Sequence, residues 1–465
     1  MNKKSSYFDQ FWIRVFVAVF LLVFTLFAGC SGESILSTVF PSNTETNTET
    51  PTDTVEASLE TLTTPEADIS EATSTIQETV DATQDFTIEQ NELVIWISEE
   101  FSTLDESPAS LLLRQHIEDF ERQNPGVVVT VRVKASSGTG GILNSLKNTK
   151  IAASAALPQL VLLPSIDLPD AAAQQLILPV EDFLQHNNPS TYFNYAHEMA
   201  DVDGISYGFP FVGDALVGIA SAKIGEGDFT SWDDIRAKKE PLYFAANNPQ
   251  ASLPISQYLS TGGALENDQG HASFSIDNLT TVLYAFEQNT RTGVFTKDFV
   301  TLNTSGDVWS LFENGGANWV INWVSRALQS DLPDLLIFQL PSLGTEAYVS
   351  ANGWVWTVIS SEKLINDNLS AFITFMNDPE FLAQYSQAIG YLPVMPDSLS
   401  LYEDDGSLNQ LSNILLAAHT YSRNDLILEL GPIFRDATLN VLNQNFTLDE
   451  IVEIALSQIE ALQAK

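Results

Sequence analysis

The chain has 465 residues, 20 Lys and Arg against 60 Asp and Glu, and a formal net charge of −40. That balance argues against a nucleic-acid partner, which needs clustered basic side chains, and against adhesion to anionic lipid headgroups. An apolar fraction of 44% suffices for a real core, the length suits about two to three domains, and a single cysteine, Cys30, leaves no internal disulfide or Cys-rich zinc module to consider.

The N-terminus reads as an export address. Lys3 and Lys4 precede a strongly apolar run from Phe16 to Ala28, followed by Gly29 and Cys30. Charged start, apolar stretch and small residues are the layout of a secretory signal. Phe27-Ala28-Gly29-Cys30 resembles a bacterial lipobox, with Phe27 where Leu is commonest. That resemblance implies that Cys30 carries a lipid in the mature protein. An uncleaved anchor is the alternative, because residues 11–29 are about long enough to span a bilayer, although Arg14 interrupts them. Both readings put the remainder outside the membrane. From 31 to about 91 the chain is Thr-rich and acidic without Lys or Arg. Such a composition predicts a disordered, self-repelling tether.

Order is expected from Glu92. Leu93-Val94-Ile95-Trp96-Ile97 has the apolar, β-branched composition of a buried strand. Ser107-Pro108 predicts a helix start, Leu113, Ile117 and Phe120 share one helical face, and Asn124-Pro125-Gly126 ends it. Val127–Val131 predicts a second strand and Leu160–Leu163 a third, with a Gly-rich turn at 137–141 and a helix to about Ala155 between them. This alternation predicts an α/β domain with a mostly parallel sheet, in which ligands bind beyond the C-terminal ends of the strands.

Several segments together resemble the family-1 extracellular solute-binding proteins, the maltose-binding-like receptors of ABC importers. They are Leu93 to Trp96, Phe120 to Val127, Leu157-Pro158-Gln159-Leu160-Val161, Gly204-Ile205-Ser206-Tyr207-Gly208-Phe209-Pro210-Phe211, Ser231-Trp232-Asp233-Asp234, Asn352-Gly353-Trp354-Val355-Trp356 and Gly390-Tyr391-Leu392-Pro393-Val394. Gln159 replaces an acidic residue of the family's pattern. The resemblance covers the chain from about Glu92 to its end. It implies a two-lobed periplasmic-binding-protein-like fold of type II. Each lobe would be a mostly parallel sheet flanked by helices, with the ligand cleft between the lobes and closure by hinge motion. The expected division is a signal peptide with lipobox at 1–30, the tether at 31–91, lobe 1 at 92–208 plus 338–390, and lobe 2 at 209–337 plus 391–465. The expected partners are a small polar solute, a sugar or oligosaccharide by preference, the importer's membrane subunits, and the membrane through the lipid. The receptor is expected to be a monomer without cofactor or metal. A sensor or adhesin on the same fold is the alternative, since fold does not fix function.

Aromatic planes cover the apolar faces of a sugar ring while polar groups bind its rim. Trp354 and Trp356 alternate in a predicted strand and should share a face; either the cleft or the sheet core accounts for them. Trp96 lies near the end of the first strand, with Ser98 and Glu99 just beyond it. Ser136 and Ser137 precede the Gly-rich turn and can offer hydroxyls and N–H groups. Asp214 follows the crossover, where a carboxylate would accept from hydroxyls or an amine. Trp323 is preferred to Trp319 as a ligand contact.

Enzymatic readings find little support. Gly204-Ile205-Ser206-Tyr207-Gly208 matches the G-x-S-x-G pattern, but a nucleophile elbow needs a strand before the Ser and a helix after it. Here Pro210 follows, and Asp203-Gly204 predicts a tight turn. The Gly-rich turn lacks the ending of a P-loop, and His116, His186, His197, His271 and His419 show no metal spacing. His116 is expected to be structural. Asp404-Asp405-Gly406 lacks the full calcium-loop pattern.

Overall fold

The computed structural model describes residues 91–465 apart from 181–190, 226, 228, 360–366, 404–407, 422 and 464–465. The signal, Cys30, the tether, His186 and the 404–406 turn lie outside the described residues.

The chain opens with β1 (Asn91–Ser98), α1 (Pro108–Gln123), β2 (Val127–Lys134), α2 (Ile142–Ala152), β3 (Leu160–Pro164) and α3 (Leu168–Ala173). Each element follows from local chemistry. Six of the eight β1 residues are buried, as a strand covered on both faces requires. The Ser107 side chain accepts from the Ser110 amide at the start of α1, Pro108 occupies its first turn, and Leu113, Ile117 and Phe120 form its buried stripe. The three strands pair in parallel, β1 lying between β2 and β3.

The path continues through α4 (Asn194–Ala200) and a hairpin of β4 (Asp201–Val202) and β5 (Ile205–Ser206). Asp203 and Gly204 turn that hairpin with φ of 54° and 81°. Ser206 therefore sits in a two-stranded ribbon, not on the strand-to-helix turn that a nucleophile elbow needs.

The twelve-residue β6 (Phe209–Ala220) is buried throughout. Next come α5 (Trp232–Lys238), α6 (Ser252–Ser260), α7 (Ile276–Arg291), α8 (Ser305–Glu313), β7 (Trp319–Trp323), α9 (Val324–Leu328), β8 (Leu336–Phe338) and β9 (Val349–Val358). Ser231 and Asp234 close a reciprocal capping box on α5. The chain finishes with α10 (Asp367–Met376), α11 (Pro379–Ile389), α12 (Pro396–Leu399), α13 (Leu408–Leu416), β10 (Ala418–Thr420), α14 (Asn424–Asn443) and α15 (Leu448–Gln463).

The strands order as β2-β1-β3-β9-β6-β7, with β10 on β9 and β8 on β6. Among these strands β1–β2, β1–β3 and β9–β10 pair in parallel; β3–β9, β9–β6, β6–β7 and β6–β8 are antiparallel. The long β6 serves two neighbourhoods. Its first part pairs with β9 as far as Ala215↔Ala351. Its second part, from Leu216↔Trp323, pairs with β7 and then β8. Two hydrophobic cores flank this passage. The first gathers Phe101, Phe120, Phe211, Trp356 and Tyr385. The second gathers Phe244, Phe286, Trp319, Phe338 and Phe434.

Candidate functional site

The C-terminal ends of the parallel strands β1 and β3 converge on the place where β9 and β6 cross. In parallel sheets that is where carbonyl-end loops leave room for a ligand. Glu99, Glu100 and Phe101 form a short 3-10 turn directly after β1. Ser165 and Asp167 belong to the corresponding turn after β3. Pro164 pairs with Trp354, and the Ser165 hydroxyl accepts from the Gly353 amide at 3.3 Å.

Asp214 stands one residue before β6 exchanges β9 for β7. It is 7% exposed. Its Oδ1 accepts from the Ala215 amide at 2.9 Å and the Ser325 amide at 3.0 Å, and its Oδ2 from the Ser325 hydroxyl at 2.5 Å. Burial pushes its carboxyl up to about 6, against the opposing pull of the Ser325 and Ala215 donors and of Arg326. The return crossover reaches the same place, because Gly213 and Leu392 exchange amide-to-carbonyl bonds at 2.9 and 2.7 Å. Tyr391, just before it, donates its hydroxyl to Glu100 Oε2 at 3.3 Å and lays its ring along Phe101 with centroids 6.1 Å apart. Trp354 meets Phe101 edge-on at 4.9 Å.

Three carboxylates in this region are displaced upward. Desolvation raises Glu100, with Glu99 adding to the rise and Tyr391 and Arg326 opposing it, although the residue keeps much of its surface in solvent. Desolvation also raises Asp167 to about 6, with Asp170 adding and Lys147 opposing. Desolvation is the first cause of each rise, and the hydroxyls of a polyol ligand are donors that would offset it. Next to the turn that carries Asp167, a groove of about 660 Å³ runs between that turn, the hairpin and the start of α14, lined among others by Ile166, Asp170, Asp203, Tyr207, Arg423 and Leu428; Glu100 and Asp214 do not line it.

The residues singled out from sequence fall into two groups. Glu99, Ser136, Asp214, Trp323 and Trp354 come to the strand-end region. Ser136 Oγ lies 3.4 Å from Glu99 Oε1. Ser137 is exposed on the turn after β2, and Trp323, the last residue of β7, is half-buried. Trp96, Ser98 and Trp356 lie in the sheet core, at 2%, 0% and 1% exposure. Lys134 Nζ covers the Trp96 ring at 4.3 Å, and Phe211 packs on Trp356 at 5.5 Å. Trp319 is enclosed by Phe229 and Phe338. His116 is a packing residue, stacked on Phe381 at 3.6 Å with Nε2 on the Phe375 carbonyl at 2.9 Å. Glu100, Asp167, Ser325, Arg326 and Tyr391 join the region without having been singled out. Asp167 was reachable by applying to β3 the strand-end rule used for β1, and Tyr391 lies inside a recognised motif.

Solved structures share this fold. The sugar-binding protein MalE from Xanthomonas citri superposes with a TM-score of 0.66 at 16% identity, over 80% of this chain and 98% of its own. A cyclic α-maltosyl-1,6-maltose binding protein from Arthrobacter globiformis gives 0.62 at 15% identity, over 80% and 98%. The substrate-binding protein Lmo0181 from Listeria monocytogenes, in complex with cycloalternan, gives 0.58 at 16%, over 80% and 99%. No curated protein matches the sequence. At these identities the likeness is one of fold. Among the described residues no helix is long and apolar enough to cross a membrane. The sequence model of the bacterial extracellular solute-binding proteins matches residues 115–409, more than half the chain, and the protein belongs to that family.

Proposed function

We propose that the protein is the extracytoplasmic receptor of an ABC importer, that it captures a sugar or oligosaccharide between two lobes, and that it performs no chemistry on its cargo. Lobe 1 comprises 92–208 plus 338–390 and lobe 2 comprises 209–337 plus 391–465. The protein acts as a monomer, tethered through residues 31–91 to a lipid on Cys30. Asp214 carries the reading. A carboxylate this buried, where the pairing of β6 passes from β9 to β7, accepts from the Ala215 amide and from the Ser325 amide and hydroxyl and lacks a cation at bonding distance among the described residues. Hydroxyl donors from a bound sugar would complete its shell. Glu99 and Glu100 offer acceptors after β1 and Asp167 another in the turn after β3, while Trp323 and Trp354 supply ring faces. Related structures named for sugars favour this cargo over polyamines or phosphorylated polyols.

Thermal unfolding tests the cargo. A ligand that binds only the folded protein raises the midpoint, by about 2.7 kcal/mol of added stability at one hundred times its Kd. Neutral oligosaccharides are expected to raise it selectively. A rise with polyamines or glycerol phosphate and none with any sugar at millimolar concentration overturns the sugar assignment.

A further inference from the structure

The chain enters its folded part beside an apolar groove that the candidate site does not use. This groove, of about 680 Å³, lies between the end of α1, the second half of α10, the start of α11 and the stretch at Tyr192. Its apolar walls are Phe120, Tyr192, Ala371, Phe375, Pro379 and Met395, and the Phe120 and Phe375 rings meet with centroids 5.5 Å apart. Polar side chains at its rim are committed within the fold. Asn124 Nδ2 donates to the Phe120 carbonyl at 2.9 Å and Asn377 Nδ2 to the Ile373 carbonyl at 2.8 Å. The Tyr192 hydroxyl donates to Asn377 Oδ1 at 2.8 Å, and Asp378 Oδ1 accepts from the Phe381 amide in the first turn of α11 at 2.9 Å. Such a lining takes apolar side chains better than a polar solute.

We propose that this groove seats the chain's own segment 84–90, through Phe86 and Ile88, and so fixes the place where the tether leaves the domain. Position and sequence both point to it. The segment lies outside the described residues, but Asn91, which follows it, donates its amide to the Gly126 carbonyl at 2.8 Å. Gly126 is two residues from Asn124 on the groove's rim. Phe86 and Ile88 stand five and three residues before Asn91, within about 17 and 10 Å of extended chain. Asp85, Thr87 and Glu89 alternate with Phe86 and Ile88, so an extended segment presents one apolar side. Phe86 is also the single aromatic residue between Phe40 and Trp96. A short connection holds that side at high local concentration beside the groove, which favours it over a second copy or a separate chain. Asn124 and Gly126 precede β2, whereas the candidate site lies past the ends of β1 and β3, so a docked segment does not obstruct that site. The inference is independent of which solute is bound.

Photo-crosslinking in the full chain tests the occupant, with Phe86→benzoylphenylalanine as the probe and Thr63→benzoylphenylalanine as the control in the tether. The expected result is crosslinks from position 86 to the peptides carrying Phe120, Phe375 or Met395, at least about tenfold more than from position 63. Crosslinks that join two chains assign the groove to a second copy, and crosslinks to any other surface place the segment elsewhere; either overturns the proposal. Amide hydrogen exchange of the unsubstituted chain gives a second readout. Residues 85–88 should exchange at least about tenfold more slowly than residues 58–64, after correction for sequence. Phe86→Ser combined with Ile88→Ser, outside the described residues, should return them to the tether's rate. Ala371→Glu, at an exposed position of the groove, should do the same from the other side. Equal exchange of the two segments in the wild type overturns the proposal, as does protection that survives both variants.

Discussion

Asp214→Asn weakens sugar binding by about tenfold to a hundredfold and at the same time stabilises the unliganded protein at neutral pH. The first effect follows from exchanging a charged acceptor for a neutral one, since hydrogen bonds to charged groups contribute roughly 1.5–3 kcal/mol. The second follows from proton linkage. The Asp214 carboxyl rises from 3.8 to about 6 on folding, because burial outweighs its three hydrogen bonds. Between those values the folded chain binds more protons than the unfolded chain. Its stabilising contribution is therefore complete below about pH 4 and is lost as the pH rises through about 6. At pH 7 the ionised group costs on the order of 3 kcal/mol. An asparagine does not ionise, and it keeps the local bonds: Oδ1 still accepts from the two amides, and Nδ2 donates to the Ser325 hydroxyl. Urea unfolding across pH 4–8 checks this. Wild-type stability should fall as pH rises through that window. D214N should fall less, with a remaining slope from Asp167, which burial also raises to about 6. A variant that loses stability at pH 7 without losing affinity contradicts both halves.

The second large effect belongs to the backbone. Gly213 and Gly353 pair directly across β6 and β9 at the crossing. A Cβ on Gly353 would lie 2.3 Å from the Val212 carbonyl oxygen and 2.5 Å from Met199 Sδ; a Cβ on Gly213 would lie 2.4 Å from the Tyr195 hydroxyl oxygen. Tyr195 has no room to yield, because that hydroxyl donates to the Pro393 carbonyl at 2.7 Å and the side chain is fully buried. Gly353→Ala is accordingly expected to cost about 3 kcal/mol, near the upper end for overpacking, read as a lowered urea midpoint. Gly140→Ala is the control, since nothing lies within 4 Å of its added Cβ, and it should stay within about 0.5 kcal/mol of wild type. Equal behaviour of the two variants would mean that the crossing tolerates separation of β6 from β9. The glycine in the Asn352-Gly353-Trp354 segment is thus a requirement of close strand approach.

Much of the fold was legible because local signals agreed with the tertiary outcome. Continuous apolar runs marked β1 and β3, and Ser107-Pro108 marked a helix start that the structure caps as expected. Period-two spacing put Trp354 and Trp356 on one face, and both rings meet the Phe101–Phe211 cluster. Spacing does not reveal where along that face the core ends. Phe211 and the neighbouring strands enclose Trp356, two residues farther from the strand end, while Trp354 reaches the edge beside Tyr391. The same limit applies to Trp96, whose ring the Lys134 side chain covers from the adjacent strand. The acids were the hardest to read. Glu100, Asp167 and Asp214 are distinguished by desolvation, a property of what packs around a carboxylate and not of its sequence neighbours.

The most direct test of cargo capture between the lobes is small-angle X-ray scattering of the protein with and without the sugar that most raises its unfolding midpoint. Closure around that sugar predicts a smaller radius of gyration at saturation, with D214N needing about tenfold to a hundredfold more sugar to reach it. Saturable binding with an unchanged radius of gyration would contradict capture by closing lobes and would place the ligand on a surface that does not move.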